Sequence, residues 1–136
     1  MSIIYKHKIV IGLLIIFADQ VMKYLIRQYD GFYICNSGIA FGISIPSYIR
    51  WSLTGIMFLG LYFLMKKSAN YGVRAYKLGV IFILSGAVSN IIDRLFFGCV
   101  IDFIDIKIFN YPMFNVADIF IFIGASYIFI KGVLQK

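Results

Sequence analysis

All six acids in this 136-residue chain are aspartates. Four of them, Asp93, Asp102, Asp105 and Asp118, fall in one stretch from Gly86 to Asp118, among Ile, Leu, Phe and Val. A carboxylate in a bilayer core costs from about 3 to over 10 kcal/mol depending on the method of measurement, so acids in such surroundings usually mark a site. Asp102 and Asp118 are the pair that a returning loop can bring face to face. Two carboxylates at close range resist joint ionisation, share a proton and titrate as a pair. The ionised member can activate water, and the protonated one can polarise a carbonyl or protonate a leaving amine. The spacing leaves open which acid plays which part. Taken alone it fits at least as well an interfacial surface acid at 102 and an acid at a helix N-terminus at 118, a favourable place for a carboxylate.

Other chemistries lack their residues. The one histidine, His7, belongs to the basic N-terminus, so no plausible serine or cysteine nucleophile has a histidine base. No His, Cys and carboxylate set has zinc spacing, and no glycine-rich phosphate loop follows a strand. That leaves carboxylate chemistry. Cys35 and Cys99 form no framework. Buried free thiols are the expected state, with one disulfide as the alternative if both lie outside the cell.

The elements that position these acids follow from hydropathy. The chain is 62% hydrophobic with a mean hydropathy of +0.91, against roughly 45–50% apolar in soluble domains. One four-span membrane domain over 1–136 is expected, with spans at about 9–26, 48–65, 75–95 and 114–131. The net charge of +7 is not a nucleic-acid signal, because the basic residues sit in clusters between apolar runs. The N-terminal apolar run has no small-x-small cleavage site and continues into Asp19 and Lys23, so it reads as a retained span. Asp19 and Lys23 are spaced i, i+4 with the acid first, the favourable order for a helical ion pair. Asn90, Asp93 and Arg94 share a face near the end of span three, and Asn115 and Asp118 share the first turn of span four. Span two has no acid and reads as scaffold. Residues 28–49 are broken by Gly31, Gly38, Gly42 and Pro46, and predict a small extended or hairpin-like element on the membrane surface. Asn36 lies in its middle, and Gly38 allows close backbone approach. An isolated Asn-Ser-Gly would also be an ordinary turn. Residues 96–113 are too interrupted to span, and VIDFIDIKIF predicts an amphipathic helix or strand at the surface.

Eight of the thirteen basic residues lie at the N-terminus, in the 66–77 loop and at the C-terminus. The positive-inside rule therefore puts both termini in the cytoplasm. All the unusual polar residues then gather at the outer leaflet. A proton-coupled exporter, the rival of another class, needs its acids near the midplane.

At these residues the chain resembles the lipoprotein signal peptidases (signal peptidase II), the bacterial membrane aspartyl peptidases. DQVMK (19–23) is similar to the family's D-Q-x-x-K, NSGIAF (36–41) to N-x-G-x-A-F, and GAVSNIIDR (86–94) to G-x-x-x-N-x-x-D-R. VIDFI (100–104) and FNVAD (114–118) are similar to the blocks carrying the family's catalytic aspartates. Met22, Ile39 and Ser89 depart from the usual Thr or Ser, Ala and Gly. Ile39 is expected to narrow the site and Ser89 to alter close helix packing, and neither removes a catalytic group.

The resemblance implies an integral membrane, mainly α fold of four transmembrane helices, with a small extracytoplasmic β-cradle and a short extracytoplasmic helix. It implies a bacterial inner-membrane enzyme that cuts diacylglyceryl-modified prolipoproteins just before the lipidated cysteine. Asp102 and Asp118 would be the catalytic dyad. Asn36, Asn90, Arg94 and Asn115, with Gly38 and Phe41 of the second block, would hold substrate or orient the dyad. Asp19, Lys23 and Asp93 would support the polar site. A monomer in the bilayer, with no nucleic-acid partner, is expected.

Overall fold

Residues 3–38, 45–70, 74–107 and 111–134 are described by the computed structural model, the side chains of 3–6, 67–70, 74–76 and 134 excepted. The element order is α1 (Ile3–Gln28), β1 (Ile34–Asn36), α2 (Ser47–Asn70), α3 (Arg74–Phe97), β2 (Val100–Asp102) and α4 (Val116–Leu134). All four helices are long and apolar enough to cross a membrane.

The ends of the helices have local causes. Asp30, in the left-handed region at φ 53°, lets the Gly31 N–H reach back to Ile26 O at 2.9 Å and closes α1 in a Schellman-type turn. Pro46 cannot continue a ladder backwards, and its carbonyl accepts the N–H groups of Ile49 and Arg50 at the start of α2. Gly98, at φ +74°, stops α3 with its N–H on Arg94 O at 3.1 Å and turns the chain straight into β2. α4 begins at Val116, two residues later than the hydropathy pattern suggests. Phe114 is taken up by an antiparallel bridge to Ile104, and Asn115 serves as the cap.

α3 is the central helix. It packs most extensively on α4, then on α1, and touches α2 and β2. The α3–α4 seam is built from small residues. A Cβ on Gly79 would lie 2.9 Å from Gly124 O, and one on Gly86 would collide with Ala117 O. Small residues are what allow helix backbones to approach within a membrane, where apolar side chains gain little from leaving lipid. An apolar cluster of Leu61, Val80 and Ile83, with Met57 and Ile128 against it, joins α2 to the seam.

The usual inside-outside arrangement is inverted. Phe17, Phe122 and Phe129 are exposed, whereas Asp19, Lys23, Ser89, Asp93, Asp102 and Asn115 are buried at 1% exposure or less. Lipid solvates the first group, and the second must be satisfied by the protein itself.

Among the described residues, the extended segment around 34–36 pairs with a strand from beyond α3. β1 pairs antiparallel with β2 in the register Ile34↔Asp102, Cys35↔Ile101 and Asn36↔Val100. Strand, rather than amphipathic helix, is therefore the outcome for the start of VIDFIDIKIF. The expectation of free thiols is overturned, because Cys35 and Cys99 are disulfide-bonded across this pair. The turn at Gly98 puts Cys99 beside β1, an adjacency that neither residue's sequence neighbours signal. The short extra helix is not among the described elements, and residues 39–44 and 108–110, next to the strands, lie outside the description.

Candidate active site

Polar side chains from α1, β1, α3, β2 and the start of α4 converge at one end of the bundle. On α1, Asp19 and Lys23 lie one turn apart, with Nζ 2.7 Å from Asp19 Oδ2. The same Nζ lies 2.7 Å from Asp93 Oδ2 on α3 and donates to Asn90 Oδ1 at 3.0 Å. An ammonium group has three N–H donors, and these three acceptors use them all. Each carboxylate is bonded further. Asp19 Oδ1 accepts the Ala117 N–H of α4 at 2.9 Å, and its Oδ2 accepts the Ser89 hydroxyl at 2.7 Å. Asp93 accepts the Ile101 N–H of β2 at 3.1 Å and Gln20 Nε2 at 2.9 Å. The Asp19–Lys23 pair is therefore no self-contained interfacial ion pair. It is a bolt joining α1, α3, α4 and β2.

Above the bolt lie the two aspartates. Asp118 is the third residue of α4 and forms a reciprocal capping box with Asn115. Its N–H donates to Asn115 Oδ1 at 2.9 Å, and its Oδ2 accepts the Asn115 N–H at 3.2 Å. Its Oδ1 accepts Asn90 Nδ2 at 2.8 Å. Asp102, the last residue of β2, accepts Asn115 Nδ2 at 2.6 Å and Asn36 Nδ2 at 2.9 Å. Asn115 touches both acids and also donates to Asn90 Oδ1 at 3.2 Å. The Lys23 ammonium can only donate, so Asn90 turns its oxygen toward Lys23 and its amide nitrogen toward Asp118. Burial pushes the Asp102 carboxyl up to about 6. Asn36 pulls it back, the Asp118 charge pushes it up again, and Asn115 and Lys23 oppose that push.

The acids face open space. A cavity of about 330 Å³ is lined at its polar end by Asn36, Asn90, Arg94, Asp102 and Asp118, with Phe122 on an apolar wall. A second, of about 320 Å³, runs between α2 and α3 and shares Asn90, Arg94 and Asp118, with Leu53 and Met57 below. Asp118 stands where the two meet.

Ten of the eleven residues singled out in the sequence lie at or beside this point. Asn36 makes the turn contact as well as the reach to Asp102, since its Oδ1 accepts the Gly38 N–H at 3.0 Å. Arg94 donates to Gly38 O at 3.2 Å, so Gly38 belongs to the rim through its backbone. Phe41 lies outside the described residues. Asp105, in the same acidic stretch, is exposed and only accepts the Lys107 N–H.

Three participants escaped the sequence reading. Gln20 and Ser89 lie inside quoted blocks, but nothing in their types points to carboxylate partners across two helices. Ser89, expected to change packing, instead bonds Asp19 and accepts from Gln20 at 3.0 Å. Arg50 of the scaffold helix α2 lines the second cavity and donates to Ser37 O. No signal marked it.

Comparison with known proteins fits this geometry. The family model described as signal peptidase (SPase) II matches residues 11–134. The lipoprotein signal peptidase of Halalkalibacterium halodurans is 33% identical, over 93% of this chain and 92% of its own. That of Brevibacillus brevis is 36% identical over 85% of this chain and 87% of its own. A solved structure described as a bacterial membrane enzyme, obtained by the in meso method at 2.3 Å resolution, superposes with a TM-score of 0.82 at 30% identity. That match covers 96% of this chain and 88% of the other. A second, at 1.9 Å, gives 0.79 at 30% identity over 93% and 92%. A buried polar bolt, paired aspartates above it and a match along nearly the whole chain lead to one conclusion: the chain belongs to the signal peptidase II family, as a multi-pass bacterial membrane protease.

Proposed function

We propose that this protease removes the signal peptide from diacylglyceryl-modified prolipoproteins, cutting just before the lipidated cysteine, with Asp102 and Asp118 as an aspartyl dyad. One observation carries the reading. Two carboxylates from different elements are held by one asparagine, Asn115, at a cavity in an otherwise apolar bundle. The pair holds one proton between them. The ionised carboxylate takes a proton from water, which attacks the scissile carbonyl, while the protonated one donates to the carbonyl oxygen. Collapse of the tetrahedral intermediate returns a proton to the amine of the lipidated cysteine. Arg94 and Asn90 at the rim offer donors to substrate carbonyls, and Asn36 and Asn115 keep Asp102 aimed at the cavity.

The site lies at the outer membrane face with both termini in the cytoplasm, and the protein works as a monomer. The basic residues support that orientation. So does the Cys35–Cys99 disulfide, a bond that persists in oxidising compartments. A cavity at this level suits a substrate whose acyl chains stay in lipid while its peptide bond needs water. The exporter reading fails on the family match and on acids gathered at one end of the bundle.

The test is cleavage of a diacylglyceryl-modified prolipoprotein by purified wild type, Asp102→Asn and Asp118→Asn. Each variant nearly keeps shape and removes the ionisable group. Wild type cuts before the lipidated cysteine, and each variant loses at least about 10³-fold in kcat while its melting temperature stays near wild type. A variant with near-normal rate would remove that aspartate from the dyad.

A further inference from the structure

β2 and β1 are anchored very differently. β2 follows α3 directly through Gly98, and Asp93 holds its Ile101 N–H at 3.1 Å. The described residues flanking β1, 29–33 and 37–38, are in neither helix nor strand. Among the described residues, β1 is held by a pairing only three residues long, by arginine bonds to the carbonyls of Ser37 and Gly38, and by the disulfide. An isolated two-stranded pair is marginal at best. The residue next to Cys35 is Asn36, whose Nδ2 lies 2.9 Å from Asp102 Oδ2. Cys99 is buried, but Cys35 is exposed, so an external thiol can approach one sulfur.

We propose that the Cys35–Cys99 disulfide is a positioning element for the aspartate pair: closed, it holds Asn36 on Asp102; opened by a dithiol, it releases β1 and weakens the enzyme. The chemistry balances. A reductant thiolate attacks Cys35 Sγ, forms a mixed disulfide and releases Cys99 as a thiolate, which takes up a proton. The reductant's second thiol then displaces Cys35 and closes the reductant's own disulfide. Two electrons and two protons pass to the protein, which ends with two thiols.

The consequence is specific to Asp102. Among the described residues, the charged or titratable groups around it are Asp118 at the start of α4, Lys23 of α1 and Arg94 of α3, with Asp93 of α3 on the N–H of the preceding Ile101. Its direct hydrogen-bond donors are Asn36 and Asn115. None of these except Asn36 is on β1. Loss of Asn36 removes a donor that favours the carboxylate, so Asp102 holds its proton to higher pH.

The proposal rests on the proposed function for its activity readout, so a second readout independent of cleavage accompanies it. Cleavage is followed from about pH 5 to 8 for oxidised protein, dithiol-reduced protein with both thiols counted, Cys35→Ser/Cys99→Ser and Asn36→Ala. In parallel, the Asp102 carboxyl is titrated by infrared difference spectroscopy against Asp102→Asn. In the reduced protein, the double variant and Asn36→Ala, the acid limb and the carboxyl titration move up together by about one pH unit. At the acid end kcat falls about tenfold while KM changes less. Dithiol adds nothing to Asn36→Ala. Superimposed profiles for oxidised and reduced protein would overturn the proposal. So would a loss uniform across pH that dithiol still produces in Asn36→Ala, since the bond would then act on the fold in general. If oxidised wild type cuts no prolipoprotein, the functional reading falls, and the Asp102 titration still decides this one.

Discussion

Lys23 shows how much rests on one side chain at the residue scale. It is 1% exposed and paired to two carboxylates. Lys23→Met leaves both acids without their cation, and stability is expected to fall by about 3–5 kcal/mol, read from unfolding in detergent. Ser89→Gly is milder. It removes both hydroxyl bonds, to Asp19 and from Gln20, and adds a helix glycine, for a loss of about 1–2 kcal/mol by the same measurement. Asp102, as a member of the proposed dyad, yields the pH prediction. Its carboxyl lies near 6, so kcat/KM for prolipoprotein cleavage is expected to rise through about pH 6 as it ionises. Stability runs the other way. A carboxyl raised by folding stabilises the protein while protonated, below the usual carboxylate range, and that contribution is lost as pH climbs through about 6. Lys23 and Asp102 were singled out from their blocks, whereas the bonding of Ser89 was not. Their partners were not readable: Asp19 pairs with Lys23 as its i, i+4 spacing says, yet its bonds to Ala117 and Ser89 depend on where α3 and α4 cross α1.

At the scale of elements, apolar length and glycine placement made all four helices legible, with span three expected at about 75–95 and α3 observed at Arg74–Phe97. The extended character of 28–49 was legible, and a strand was one of two readings for VIDFIDIKIF; their pairing was not, because a three-residue strand has no periodicity to set a register, and the partner of β1 lies two helices away. The same distance hid the disulfide. The α3–α4 seam brings Asp118 to Asn90, so it should be more sensitive to added volume than any lipid-facing stretch. Gly86→Val drives a side chain into Ala117 and Ile121. Unfolded or inactive protein is expected, with a melting temperature well below wild type. Gly60→Ala on α2, where a Cβ meets nothing within 4 Å, is the control, and is expected to be neutral or to stabilise by up to about 1 kcal/mol.

For the whole molecule, the inverted burial pattern means that lipid covers the apolar exterior while the protein supplies its own solvent for the acids. Orientation is the matching prediction. Single cysteines placed at the two termini of a chain lacking Cys35 and Cys99 should be shielded from a membrane-impermeant thiol reagent in intact cells, and one at Asp105 should react. Labelling of the termini instead would invert the topology.

The Asp19 bond to the Ala117 N–H ties the first helix to the opening turn of the last. Chain order makes that contact one of the last to form during biosynthesis. A ribosome-bound chain that has released only α1, α2 and α3 holds Asp19, Lys23, Asn90 and Asp93, yet lacks Asn115 and Asp118. On the proposed dyad, a product that ends before α4 has only one of the two acids, and proteolytic competence is expected to arrive with the final helix.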